Sequence, residues 1–172
     1  MTAPATQTIH VIQGEHGISD QPDLVLTTVL GSCVAACLHD PVRQIGGMNH
    51  FLLPDGPDTR DIRYASAAME QLVNSLLKMG GRRERMVAKL FGGARMIKGL
   101  PDIGHRNGEA ALAFLRGEGI SVSAHSLGGT QARRVRFWPA TGRAQQLLLV
   151  DTRDIAISQP PSPTGSGSIE LF

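Results

Sequence analysis

Short runs of β-branched and aliphatic residues alternate along the chain with two longer amphipathic segments, and this rhythm sets the predicted elements. Residues 8–13 and 24–29 predict strands. Residues 34–39 and 45–53 predict a further strand pair, joined through Asp40-Pro41. Over 64–78, Ala65, Ala68, Met69, Leu72, Val73, Leu76 and Leu77 recur at helical spacing, and Gly80-Gly81 supplies the stop. A strand over 86–91 follows and ends in Gly92-Gly93. A second helix is predicted over 103–116, with Ala110, Ala111, Leu112, Phe114 and Leu115 as its apolar face and Gly117 as its end. Further strands are predicted over 120–124, 133–138 and 145–150, with a turn at Pro139-Ala140-Thr141-Gly142.

Two helices among about eight strands, with no repeating strand–helix–strand unit, predict an α+β layered sandwich rather than a doubly wound parallel sheet. Residues 1–157 form the expected catalytic domain. Residues 158–172 are expected to be a flexible Pro/Gly/Ser-rich tail, because such composition cannot bury a core. Its apolar tip, Ile169-Glu170-Leu171-Phe172, reads as a frayed end or as an element that docks on a partner.

Composition narrows the function. The 172 residues are 41% hydrophobic and 19% charged, as in an ordinary globular protein, and the net charge of +2 gives no reason to expect nucleic acid. Arg82-Arg83-Glu84-Arg85 reads as a solvated turn. The polar start lacks a signal segment and no apolar run is long enough to span a bilayer, so a cytoplasmic protein without membrane insertion is expected. Two cysteines, Cys33 and Cys37, make no disulfide framework and leave both thiols free for chemistry or packing.

Leu30-Gly31-Ser32-Cys33 places a thiol directly after a tight turn, where glycine lets backbone approach a substrate and aims amides at a developing oxyanion. A lone cysteine is otherwise a small buried hydrophobe, so reactivity needs an activating neighbour. A hairpin turning about Pro41-Val42 pairs Cys33 with His50, which is then either the thiol's base or a core histidine bonded to backbone. Cys33, Cys37, His39 and His50 also suggest a Cys₂His₂ metal set. A strand spaces Cys33 and Cys37 roughly 13 Å apart, too far for one zinc ion, so no metal and no cofactor are expected and Cys37 reads as core.

Several segments, in order, resemble the CheD family of chemoreceptor glutamine deamidases. They are Thr27 with Leu30-Gly31-Ser32-Cys33; Gly46-Gly47-Met48-Asn49-His50 with Leu53-Pro54; Tyr64-Ala65; Lys89-Leu90-Phe91-Gly92-Gly93-Ala94 with Met96; Ile103-Gly104-His105-Arg106-Asn107; and Gly128-Gly129 with Arg133. The resemblance implies a layered α/β/β sandwich of mixed sheets and a protein-glutamine glutaminase acting in chemotaxis. Its catalytic set maps onto Cys33, His50 and Thr27, with Thr27 accepting from the imidazole and Thr28 on the opposite face of its strand. Ser32, Gly31, Gly92, Gly93, Gly128 and Gly129 are the expected substrate-binding or oxyanion positions, although glycine pairs are also ordinary turns. Asn107 is either a cleft-edge group or solvent-facing. The implied partners are chemoreceptor cytoplasmic domains as substrate and a CheC-type phosphatase. Ser126, where an aspartate is common, and Asn49 depart from the pattern without removing a member of the set. The competing readings are a binding module that grips a receptor or phosphatase, and transglutamination or ester hydrolysis through the same thioester.

Overall fold

The computed structural model describes residues 6–52, 60–99, 101–150 and 169–172, with the side chains of 60–63 excepted. Leu53-Pro54 and most of the expected tail, 158–168, lie outside the described residues.

Two five-stranded sheets lie face to face. The first has the order β1 (Gln7–His10), β3 (Leu24–Leu30), β8 (Arg133–Trp138), β9 (Arg143–Leu148) and β10 (Ile169–Leu171). The second runs β2 (His16–Ser19), β5 (Ile45–Asn49), β4 (Val34–Asp40), β6 (Val87–Gly92) and β7 (Ser121–Leu127). Both are mixed: β1 is parallel to β3 and β6 to β7, while the other pairings are antiparallel. Helices α1 (Arg60–Lys78) and α2 (Ile103–Gly117) cover the free face of the second sheet.

The period-two alternation of strands divides the apolar residues between two cores. Val34, Ala36 and Leu38 of β4, with Ala88 and Leu90 of β6, meet Met69, Leu72, Val73 and Leu76 of α1 and Ala111 and Leu115 of α2. The intervening residues Ala35, Cys37 and Phe91 face the first sheet, where they pack with Leu24, Leu26, Leu30, Val135 and Phe137. The layers are therefore helices, sheet, sheet, as the α+β reading requires. Cys37 is a core residue, buried between the sheets.

Three features differ from the sequence expectation. The strand expected over 8–13 stops at His10, and a separate strand, His16–Ser19, returns in the other sheet; it is short, with Ile18 its one aliphatic residue. Ile169–Leu171 is not a frayed tip but an edge strand on β9. The β4–β5 hairpin pairs Cys37 with Met48 and Asp40 with Ile45, two residues away from the expected register. The cause is the turn. Asp40 Oδ1 accepts from the backbone N–H groups of Val42 (3.0 Å) and Arg43 (3.1 Å), and Gln44 takes a left-handed conformation (φ 57°), which opens a loop of 41–44. A two-residue slip preserves the face of every side chain, so Cys33 and His50 stay on one side of the ladder.

Candidate active site

β3 belongs to one sheet and β4 to the other, so the segment from Leu30 to Val34 crosses between them, and Cys33 sits on that crossing. Val34 and Phe51 form a hydrogen-bonded bridge (3.0 and 2.9 Å), and the residues preceding each are Cys33 and His50. Cys33 and His50 are thus diagonal rather than directly opposed, a relation with Cβ atoms roughly 7 Å apart. The Cys33 thiol is partly exposed, and its Sγ donates to Gln13 Oε1 at 3.8 Å. Burial pushes the thiol up to about 11, only partly offset by its own backbone N–H.

His50 is 8% exposed. Its Nδ1 lies 2.8 Å from Thr28 Oγ1 and 3.2 Å from the Val11 carbonyl. Thr28 Oγ1 in turn donates its proton to the same Val11 carbonyl at 2.7 Å. With that proton committed, the hydroxyl can only accept from the ring, and a carbonyl can only accept. The network therefore assigns the proton to Nδ1 and leaves Nε2 with the lone pair that a base needs. Burial lowers the His50 pKa below the ordinary histidine value, against the opposing pull of the Val11 carbonyl.

Thr27, expected to orient the imidazole, is not the hydroxyl found there. Its Oγ1 donates to the Val135 carbonyl on β8 at 2.9 Å. Even-numbered residues of β3 (Leu24, Leu26, Leu30) face the other sheet, which carries His50, and Thr28 shares their parity. The leucine alternation was the signal in the sequence that would have selected Thr28. Gln13, against Cys33, and the Val11 carbonyl, against His50, carry no signal of that kind.

The remaining expected positions converge on the Cys33 turn. Asn107 is fully buried on α2, and its Nδ2 donates to the Ser32 carbonyl at 2.7 Å; it is not solvent-facing. Gly93 N–H donates to the Cys33 carbonyl (2.8 Å) and Ala94 N–H to that of Gly31 (3.0 Å). Gly92 has φ 108°, and a side chain there would drive into the Cys33 carbonyl, so glycine is required twice over. Gly128 N–H donates to the Gly92 carbonyl (2.9 Å), and the Gly129 carbonyl accepts from Arg95 (2.9 Å). Buried Arg133 braces this second loop, donating to the Ser126 carbonyl (2.6 Å), to Ser126 Oγ (3.0 Å) and to the Gly128 carbonyl. A cleft of about 250 Å³ opens beside His50, lined also by Glu15, His16, Tyr64 and Gln71. Among the described residues no helix is long and apolar enough to cross a membrane.

Comparison with known proteins identifies the family. The family model "CheD chemotactic sensory transduction" matches residues 52–146. A probable chemoreceptor glutamine deamidase CheD from Caulobacter sp. (strain K31) is 52% identical, covering 95% of this chain and 92% of its own. One from Acidiphilium cryptum (strain JF-5) is 48% identical over 95% and 93%, and one from Rhizobium leguminosarum bv. trifolii (strain WSM2304) is 47% identical over the whole of both chains. Among solved structures, the Bacillus licheniformis hypothetical protein YfiH aligns with 72% of this chain and 60% of its own at 16% identity and a TM-score of 0.45. Matched by the family model over more than half its length and by near-full-length relatives at about half identity, the chain belongs to the CheD family.

Proposed function

We propose that this protein is a chemoreceptor glutamine deamidase that converts glutamine side chains of receptor cytoplasmic domains to glutamate, with Cys33 as nucleophile and His50 as base. The observation that carries the mechanism is the Nδ1 network: Thr28 and the Val11 carbonyl hold the imidazole in the tautomer whose Nε2 can accept a proton.

At neutral pH the thiol and the imidazole are both uncharged, because burial raises one and lowers the other. A thiol of pKa about 11 is ionised to only roughly one part in ten thousand at pH 7. Burial therefore works against a preformed thiolate–imidazolium pair. Nε2 takes the Sγ proton as sulfur attacks the carboxamide carbon, and the resulting imidazolium gives it to the departing ammonia. Water then hydrolyses the thioester by the same base. Backbone N–H groups at Ser32 and Cys33 receive the oxyanion, in a turn held in shape by Asn107 and Gly93. Gly128 and Gly129 leave open space where a side chain would stand and give a substrate segment room, whereas Gly31 and Gly92 are packed against Met96 and the Cys33 carbonyl and shape the turn itself.

A CheC-type phosphatase is a proposed second partner on family resemblance alone, and co-elution of the two purified proteins tests it. The test of the enzyme is incubation with a receptor cytoplasmic fragment, following ammonia and the amide-to-acid mass change together. Both must appear in equal amounts; fragment binding without either would make the protein a binding module, and incorporation of an added amine in place of water would make it a transglutaminase.

A further inference from the structure

The end of the chain returns to the body of the protein in a way the catalytic reading does not use. Ile169–Leu171 lies antiparallel on β9, with Ile169 opposite Leu147 and Leu171 opposite Gln145. The ladder closes at Phe172, whose backbone N–H and carbonyl both pair with Ala144 (2.8 and 3.2 Å). Alternation then gives the segment two unlike faces. Ile169 and Leu171 point out, 64% and 65% exposed. Phe172 points in and meets Phe91 edge-to-face at 5.1 Å between ring centroids. On the same side Glu170 Oε2 accepts from Gln146 Nε2 at 3.2 Å, and Gln146 Oε1 accepts from Arg133 at 3.4 Å.

The receiving surface is built rather than incidental. Lys89 Nζ, on the core strand β6, donates to the Phe172 carbonyl (2.9 Å) and to that of Gly142 (2.7 Å). Ser126 offers Arg133 a neutral oxygen, so the acidic group nearest in this network is Glu170, brought by the segment itself. Lys89 and Gly142 also line a cavity of about 200 Å³, together with Cys37 and Phe137. Yet the connection is far longer than the geometry needs. Two antiparallel neighbours in this register are joined by a hairpin loop of about two to five residues, whereas 149–168 intervenes here, much of it Pro, Gly and Ser. A segment this far along the chain from its partner strand is held by its own contacts on β9 rather than by a tight hairpin turn.

We propose that the β9 edge, with the slot formed by Phe91 and Lys89, is a docking site for an extended peptide carrying an acidic residue two positions before an aromatic one, and that residues 169–172 of the same chain fill it reversibly. Docking is strand addition: the Ala144 ladder supplies register, Lys89 anchors the main-chain oxygen of the last residue, the Phe91 ring selects the aromatic side chain, and Gln146 reads the acidic one.

The test uses the full chain, its Phe172→Ala variant, and a fluorescent peptide matching residues 167–172. In the wild type the Ala144 amide is protected from hydrogen exchange at all protein concentrations. In Phe172→Ala it exchanges at least roughly tenfold faster, as loss of a partly buried aromatic side chain packed on Phe91 implies. The peptide binds Phe172→Ala saturably and restores that protection, and binds wild type more weakly because the tail competes. Leu171→Lys alters only the outward face and leaves Ala144 protected. The proposal is overturned if the peptide fails to bind folded Phe172→Ala, or if Leu171→Lys is as damaging as Phe172→Ala. Wild-type protection that falls on dilution would also overturn it, since the occupant would then be a second copy's tail.

Discussion

Thr28 Oγ1 stands 2.8 Å from His50 Nδ1 while giving its own proton to the Val11 carbonyl 2.7 Å away. That one-way relay fixes the tautomer of the histidine, and it assigns different weights to two adjacent threonines. Thr28→Ala should slow glutamine conversion by up to about tenfold, the worth of one neutral hydrogen bond of about 1 kcal/mol, because the Val11 carbonyl still holds Nδ1–H. Thr28→Ser should stay near wild type. Thr27→Ala, whose hydroxyl only braces β8, should keep its single-turnover rate and lose a little thermal stability. The reverse ranking would mean that the network drawn around His50 is wrong.

The contrast between the threonines also shows what the sequence made legible. The sandwich and both helices follow from residue patterns, and Cys33 and His50 share a face because the hairpin differs from the expected register by an even number of residues. Which threonine meets His50 depends on the parity of β3 relative to the second sheet. That parity is present in Leu24, Leu26 and Leu30, whereas the family pattern points to the neighbouring Thr27. The hairpin register was less accessible, since it turns on the Asp40 side chain capping its own loop. The strand at 169–171 could not be seen at all. Its partners, Ala144, Phe91 and Lys89, are remote in sequence, and its local composition matches that of a frayed end.

The pH profile should carry the signature of burial at His50. The base works only when neutral, and its pKa lies below the ordinary value of 6.5. Activity should therefore persist as pH falls through 6.5 and decline only at lower pH, measured as kcat/KM on a receptor fragment. An acid limb above 6.5 would contradict the assignment.

The turn that carries the nucleophile should be more sensitive than its exposure suggests. Gly92→Ala places a side chain against the Cys33 carbonyl and forces φ 108° on a residue that resists it. It should abolish activity while the inter-sheet core still forms, as judged by the near-ultraviolet spectrum. Asn107→Ala frees the Ser32 carbonyl and should lower kcat more than it raises KM, because the turn serves the transition state. An unchanged kcat would remove Asn107 from the positioning of that turn.

Away from the site, Asp40 should dominate acid stability. Burial alone would raise its carboxyl, but Arg85 (2.8 Å) and the N–H groups of Arg43, Arg82 and Val42 outweigh it and hold the group well below the usual carboxylate range. A depressed folded value means that the stabilisation is full above the unfolded carboxylate pKa and is lost as pH falls towards the folded one. Asp40→Ala should cost about 2–3 kcal/mol at pH 7, since partly exposed Arg85 can rehydrate. That cost should shrink in acid, which urea unfolding at pH 7 and pH 3 would measure.

The central claim, that Cys33 is the attacking atom, is tested most directly by intact-mass analysis of a receptor cytoplasmic fragment incubated with wild type, Cys33→Ala and Cys37→Ala in parallel. Wild type should convert its target glutamines to glutamate, Cys37→Ala should do so at a similar rate once folded, and Cys33→Ala, equally folded, should convert none. Conversion by Cys33→Ala at the wild-type rate would contradict the account.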